Sequence, residues 1–378
     1  MDFSFSEEQE AVKELGRQIL EDACQHEHLM ALENDADGDG IDGDLWKALG
    51  EANLLAVALP EKDGGSELGL HALLLLCEEA GRTTAPVPLY ASIVCAALPL
   101  AEFGSDALKA KYLPRLAAGE IMLTAALEEE GMQEPTRPAT TARADGDAWV
   151  LDGVKTCVPA VTRAEAMLVP ARTGDGKIGV FMVPLGADGV GVEVGLNNHH
   201  ERVGHVTLEG VRVGAADVLG DASEGEAIVS WIALRAQAAL SALQLGICEE
   251  ALRQTAAYTS TRKQFGREIG AYQGVSLRVA DGYIDIECMR STLWLAGWRL
   301  EQGLDATKEV AAAKWWACEG GSRVVHSAQH LHGGTGSDVE YPIHRFFLWE
   351  RTVELELGGA GLQLERLGRL LAAEEIAF

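Results

Sequence analysis

The chain has 378 residues, 47% of them hydrophobic, which is enough for two or three domains with sizeable cores and excludes a small stapled scaffold or a disordered tail. Asp and Glu number 58 against 31 Lys and Arg, a formal charge of -27, so a nucleic-acid backbone or an anionic membrane surface is repelled by the molecule as a whole. An anionic substrate must instead meet a local basic cluster or a set of backbone N–H groups.

The chain opens MDFSFSEEQE, acidic and polar, without the basic region and apolar core of an export signal. Ser6 followed by Gln9 predicts a capping box, and Val12, Leu15, Ile19, Leu20 and Ala23 recur at helical steps behind it. Breaks at Asp35–Gly43, Pro60–Gly65 and Pro86–Pro88 divide residues 1–118 into several helices. Residues 119–220 change texture, to short runs such as Trp149–Leu151, Met167–Val169, Val180–Val183 and Val211–Val213 between Gly-rich turns. They predict a small domain of antiparallel strands. Residues 221–378 return to long helices, about Glu226–Thr261, Val275–Gln302 and Thr307–His332 with a shorter one after Gly361, which predicts a helical bundle. The fold class is therefore α+β, mostly α: an N-terminal helical domain, a middle antiparallel β domain and a C-terminal four-helix bundle. The aromatic side chains of the last segment, Trp294, Trp298, Trp315, Trp316, Phe346, Phe347 and Trp349, are expected in that core.

Seven cysteines without a C-x-x-C pair read as reduced thiols of a cytoplasmic protein. Apolar runs such as Leu73–Leu76 fall far short of the roughly 20 residues of a membrane span, so no membrane is expected. Three patterns imitate ligand sites. Asp35-Ala-Asp37-Gly-Asp39-Gly-Ile-Asp42 begins like a calcium loop, but Trp46 stands where the bidentate Glu belongs, so it reads as a solvated acidic loop. Gly189-Val-Gly191 lacks the third glycine of a dinucleotide fingerprint. His326, His330 and His332 offer helical spacing for a metal but no matching carboxylate, and no metal is expected.

Two stretches of the last segment carry more information. One is Thr261-Arg262-Lys263-Gln264-Phe265-Gly266-Arg267-Glu268-Ile269, followed by Gln273. The other runs from Gln329 through Gly333-Gly334-Thr335-Gly336 to Glu340-Tyr341-Pro342-Ile343-His344-Arg345. With the α-β-α order they make the whole chain resemble the acyl-CoA dehydrogenase family, most specifically in its last third. That resemblance implies FAD as cofactor. The arginine of T-R-x-x-F-G grips the FAD diphosphate, the phenylalanine packs on the cofactor, and a Q-x-x-G-G-x-G segment lies along the ADP half. All of these come from the subunit opposite the one that holds the flavin ring. Carried over, Arg262, Phe265, Gln273, Gln329, Gly333, Gly334 and Gly336 are the FAD-clasp candidates. A guanidinium forks onto phosphate oxygens, and glycines let N–H groups approach an anion closely.

The resemblance also implies a glutamate base that removes the α-proton of an acyl-CoA substrate, in an E-G-T-x-x-x-Q type loop. The corresponding stretch is Glu354-Leu-Glu356-Leu357-Gly358-Gly359-Ala360-Gly361-Leu362-Gln363, and anchoring on Gly358 and Gln363 puts Leu357 at the base position. The family's second base site, on the first long helix of the last domain, falls within Ala233–Gly246, which holds no carboxylate. Glu356 is the nearest substitute, with Glu354 behind it. In the middle segment Ala126-Leu-Glu128-Glu129-Glu130-Gly131-Met132-Gln133-Glu134 stands where the family has T-E-P-x-x-G-S-D. After Trp149–Lys155, Cys157-Val158-Pro159-Ala160 replaces a W-I-T-N continuation.

The motifs that serve a flavin in a neighbouring subunit thus persist, while those serving the chain's own pocket are eroded. The pattern is that of a subunit completing an FAD site across an interface with a paralogous catalytic chain, in an α2β2 assembly of the type used on steroid or bile-acid side-chain thioesters. An electron-transfer acceptor is implied as well. A self-sufficient homo-oligomer using Glu356 and a non-enzymatic scaffold of the same fold remain as alternatives.

Overall fold

The computed structural model describes residues 4–131, 134–174 and 176–373. Its first helix, α1 (Glu7–Ala23), begins with the predicted reciprocal cap. The Gln9 N–H donates to the Ser6 hydroxyl at 3.2 Å and the Ser6 N–H donates to the Gln9 side chain at 3.0 Å. Five more helices follow, α2 (His26–Glu33), α3 (Gly43–Glu51), α4 (Gly69–Thr83), α5 (Leu98–Phe103) and α6 (Asp106–Ala117), with a wide π-type stretch at Leu89–Ala97 leading into α5. The β region comprises β1 (Met122–Ala125), β2 (Thr141–Asp145), β3 (Ala148–Val158), β4 (Ala164–Thr173), β5 (Ile178–Pro184), β6 (Val190–Leu196), β7 (Arg202–Gly214) and β8 (Val218–Leu219). Helix α7 (Gly225–Thr261) comes next, then a two-strand hairpin of β9 (Lys263–Gln264) and β10 (Arg267–Glu268). The chain ends in α8 (Gln273–Glu301), α9 (Thr307–His332), α10 (Ile343–Leu355) and α11 (Ala360–Ala373).

These elements form two compact units. One comprises Met1–Ala31, Leu74–Ala85 and Gln237–Phe378, the other Leu32–Leu73 and Pro86–Ala236. In the second unit the sheet runs β6-β7-β3-β2-β4-β5-β8, with β1 added on β4. It is mixed where the sequence predicts antiparallel strands, because β4 pairs in parallel with both β1 and β2. Alternating runs reveal strands but not the direction of their partners. One face is a core that includes Leu151, Met167, Val169, Phe181, Val183, Val206 and Val211.

In the first unit α7 is held against α4 at two glycines. A Cβ on Gly246 would lie 1.9 Å from the Glu78 carbonyl oxygen, and one on Gly81 would lie 2.0 Å from that of Leu243. Only glycine allows the two backbones to approach this closely. Beside this crossing the buried carboxylates Glu78 and Glu79 are matched by Lys13 (3.0 Å to Glu78), Arg17 (3.0 Å to Glu79) and Arg82 (2.6 Å to Glu79). Burial raises Glu78, whereas the two guanidiniums on Glu79 outweigh burial and lower it. Helix α7 also carries an apolar window of membrane-spanning length, mean hydropathy 1.3, and 72% of that window is buried in the protein. It is a core helix of the bundle.

Candidate functional site

At the end of α7 the chain reverses through a two-residue turn. Gln264 pairs with Arg267 across it, and Phe265 and Gly266 have φ of 54° and 85°, the left-handed pair of a type I′ hairpin. A phenylalanine in this conformation costs about 1 kcal/mol, and here its ring is 92% exposed. The edge of the Tyr272 ring meets it with centroids 6.5 Å apart. The hairpin is braced from behind. The Tyr272 hydroxyl donates to the Gln264 carbonyl at 3.2 Å, the Arg267 guanidinium lies 4.0 Å from the Tyr272 ring centroid, and Lys263 pairs with Glu268 at 3.2 Å. Arg262 is fixed by its backbone, which donates to the Tyr258 carbonyl and accepts from the Ile269 N–H, both at 2.8 Å. Its exposed guanidinium has no hydrogen bond or ion pair among the described residues. Gln273, exposed, begins α8.

The glycine segment begins where α9 ends. The Tyr258 ring stacks on His332 at 4.4 Å, and its hydroxyl donates to the His332 carbonyl at 3.4 Å, so the ends of α7 and α9 are tied together. Burial lowers the His332 pKa and leaves the ring neutral. Gly333 turns the chain with φ 61°, and neither Gly333 nor Gly334 has an atom within 4 Å of where a Cβ would stand. Both are open to an approaching group.

The other two candidates of this segment face inward. Gln329 donates its amide to the Gly336 carbonyl at 3.0 Å, and Gly336 is buried with its Cβ position 2.3 Å from the Gln329 carbonyl oxygen. Gln329 and Gly336 therefore build the turn, and the residue standing three before Gly333, as the Q-x-x-G-G spacing requires, is His330. It is exposed, and its Nδ1 accepts from Arg278 Nη1 at 2.7 Å. The histidines do not converge: His326 bonds the Ser322 carbonyl, His332 the Ala328 carbonyl, and no metal-binding cluster occurs among the described residues.

The turn after α10 is constructed from within. Leu357 has φ 55° and is 3% exposed. The buried Gln363 amide donates to the carbonyls of Leu357 (3.2 Å) and Gly358 (2.8 Å), and Arg366 donates to Leu357 at 3.2 Å. From α9 the fully buried Lys314 ammonium donates to the carbonyls of Val353 (2.6 Å) and Glu354 (3.2 Å), capping the end of α10. Glu354 is paired with Arg351, and Glu356 is half-buried at the C-cap of α10. One acid in this region escaped the sequence reading. Glu350 is 1% exposed, its Oε1 has no hydrogen-bond partner, and burial, helped by Glu354, raises its pKa to about 8.

In the other unit the three adjacent carboxylates prove unequal. Glu129 is buried, meets Lys155 at 2.7 Å, and accepts from the Thr140 hydroxyl at 2.7 Å and the Ala139 N–H at 2.6 Å. Burial would raise Glu129, but Lys155 and these donors outweigh it and lower it. Burial lowers Lys155 to about 8 despite the carboxylate. The Glu128 carbonyl accepts the Thr156 N–H at 2.9 Å, Glu130 is exposed, and Met132 and Gln133 lie outside the described residues. Cys157 is exposed with φ 52°, and the Ala160 N–H donates to Glu201 at 2.7 Å. All seven cysteines are free. The acidic loop is held as a structural turn, with Asp39 in an ion pair with Arg163 at 2.5 Å.

A free guanidinium on a braced hairpin, an outward aromatic ring and two open glycines suit a phosphate-bearing flavin. Family comparison agrees over the whole chain. The acyl-CoA dehydrogenase N-terminal domain model matches residues 6–120, the middle domain model residues 124–211 and the C-terminal domain model residues 224–372. The chain belongs to the acyl-CoA dehydrogenase family, a class of FAD-dependent oxidoreductases. Among its relatives is acyl-CoA dehydrogenase FadE27 of Mycobacterium tuberculosis, 38% identical over 98% of this chain and 99% of that one. Two solved structures are similar throughout. A steroid ACAD variant of the Tcur3481–Tcur3483 pair is 44% identical with a TM-score of 0.91, covering 97% of this chain and 98% of that one. The ChsE4–ChsE5 complex from Mycobacterium tuberculosis is 37% identical with a TM-score of 0.93, covering 99% and 100%.

Proposed function

We propose that this chain is the FAD-site-completing subunit of a hetero-oligomeric acyl-CoA dehydrogenase, in which a paralogous chain provides the base. The observation that carries this reading is the contrast between two places in one unit. Arg262 has no polar partner among the described residues and Phe265, edge-on to Tyr272, is almost wholly exposed, both beside the open Gly333–Gly334 turn, while the base position holds a leucine turned inward. FAD, when bound, accepts hydride from the β-carbon of an acyl thioester whose α-proton a carboxylate removes. The chain's own contribution is to hold the anionic end of that cofactor. Arg262 forks onto the diphosphate, the Gly333 and Gly334 N–H groups approach it, and Phe265 and Gln273 cover the cofactor's flank.

Two of the structural relatives are named as pairs of chains, one of them a steroid ACAD, which supports a bulky steroid-type thioester as substrate and a paralogue as partner. An electron-transfer protein then reoxidises the flavin. Free thiols throughout the chain support a reducing, cytoplasmic setting. We assign the functional segments as residues 1–118, 119–220 and 221–378, the last bearing the clasp.

The test is flavin absorbance per chain, with bleaching by acyl-CoA, for the protein purified alone and after co-expression with a candidate paralogue. Flavin absent alone and restored to about one per pair of chains is the expected result. One flavin per chain, bleached by substrate without a partner, overturns it in favour of a homo-oligomer with Glu356 as base. No flavin in either preparation leaves the scaffold.

A further inference from the structure

The glycine turn at the end of α9 needs support that its own residues do not supply. Gly333 and Gly334 have no side chain to pack, and glycine loses more conformational freedom on ordering than any other residue. The stretch that follows is shaped by short-range bonds. The Asp338 N–H donates to the Thr335 carbonyl at 3.3 Å, the Tyr341 N–H to the Asp338 carbonyl at 3.1 Å, and the His344 ring to the Tyr341 carbonyl at 2.7 Å. Such bonds set the path of a turn without fastening it to its surroundings. On the upstream side the fastening is Tyr258, which stacks on His332 and ties the turn to α7.

On the downstream side a tie comes from the other end of the sequence, within the same compact unit. His26, the first residue of α2, brings its Nε2 to 2.8 Å from the Glu340 carbonyl oxygen and its Nδ1 to 3.3 Å from Arg345 Nη1. A carbonyl only accepts and a guanidinium only donates, so the two contacts together require the neutral ring with its proton on Nε2. One imidazole thereby bridges the loop after the glycine turn and the first turn of α10, where Arg345 is 3% exposed. Neither a lysine, which has only donors, nor an ionised carboxylate, which has only acceptors, could bridge both.

We propose that His26 is a positioning residue for the cofactor clasp, fastening the downstream side of the glycine turn so that the Gly333 and Gly334 N–H groups are held in place before FAD arrives. This rests on the clasp reading above and adds to it a residue of the N-terminal helices, 314 residues before Glu340. His26 acts through Glu340 and Arg345 and not on the cofactor itself. Donors that are already ordered spend less of the binding free energy on being ordered, which is why a turn with two open glycines gains from an anchor on each side.

The test is amide hydrogen exchange along Gly333–Tyr341 in the deflavinated assembly, followed by rebinding of FAD to the same samples. His26→Leu removes both contacts and is expected to speed exchange there about tenfold, with a loss of FAD affinity of about the same factor. Exchange in α1 and in the sheet is expected to stay at the parent's values. His26→Gln, whose amide offers one donor and one acceptor, is expected to restore both readings. His26→Lys can reach Glu340 but sets a second cation against Arg345, and is expected to restore neither. The Gln and Lys variants carry the same comparison if the leucine variant does not assemble. Unchanged exchange at Gly333–Tyr341 in His26→Leu overturns the inference, and so does a rise spread over the whole chain, which would make His26 a residue of general stability. Equal protection by Gln and Lys overturns it too, because Arg345 would then have no part in the bridge. Faster exchange with unchanged FAD affinity overturns the link to the cofactor. Arg262→Ala separates the two levels. If it loses flavin while His26→Leu does not, only this inference fails, and if it retains flavin the clasp itself fails.

Discussion

At the end of α7 the Arg262 guanidinium stands outward with no polar partner among the described residues and the Phe265 ring is met by the edge of Tyr272, whereas around the end of α10 the donors of Lys314, Gln363 and Arg366 converge on four carbonyls. Both places use a left-handed residue that is not glycine, Phe265 at φ 54° and Leu357 at φ 55°. One presents its side chain to the outside and the other buries it. Nearly equal φ angles thus accompany an outward side chain in the first place and a buried one in the second. What decides between them is whether the surrounding donors are already spent on the chain itself.

The comparison can be broken most sharply at Arg262. Arg262→Ala is expected to lower flavin affinity of the assembly about a hundredfold with the unfolding temperature of the flavin-free protein unchanged, as read by flavin titration and calorimetry. Equal flavin content would remove the recognition half of the contrast. At the other place, Lys314→Met should cost about 2 kcal/mol in urea unfolding, because it leaves the Val353 carbonyl without its buried side-chain donor and the Glu354 carbonyl with the weaker Cys318 thiol. Little change would mean that the turn holds itself.

Glu350 sharpens the same contrast through pH. Its folded pKa is raised to about 8 by burial, so the stability it contributes is full below the ordinary glutamate range and is lost as pH rises through about 8. Glu350→Gln should abolish roughly 2 kcal/mol or more of decline between about pH 5 and pH 8, seen in denaturant midpoints at a series of pH values. A variant that declines as steeply as the parent would show that the slope arises elsewhere. The smallest effect is expected from Phe265→Asn. Asparagine suits the first position of a type I′ turn, so stability should rise by about 1 kcal/mol while flavin retention falls. A gain in both would mean that the exposed ring has no part in holding the cofactor.

Much of this was legible in the chain itself. The Ser6 box, the three long helices of the last segment and the T-R-x-x-F-G hairpin depend on local spacing, and local spacing is what a sequence displays. The parallel pairing of β4 with β1 and β2 joins strands distant along the chain and left no periodic trace. Helix α10 leaves no aliphatic stripe in the sequence, because five of its seven buried residues, His344, Arg345, Phe346, Trp349 and Glu350, are polar or aromatic. The resemblance to Q-x-x-G-G-x-G points to Gln329 by its glutamine and to His330 by the count back from Gly333, and the structure has Gln329 bonded within the turn. The partners of Glu129 and Lys314 are 26 and about 40 residues away, and no pattern within a helix or strand predicts them.

An enzyme that works among acyl thioesters lives with acylating agents, and amines are their targets. Ten lysines occur in this sequence, and Lys155, which burial lowers to about 8, is fully enclosed by the sheet that binds it to Glu129. The burial that lowers it also shields it, so opening of the β region exposes the amine while returning it to the ordinary lysine range. Acylation of Lys155, set against that of exposed lysines such as Lys47, would act as a chemical clock for how often this sheet breathes in a cell rich in thioesters.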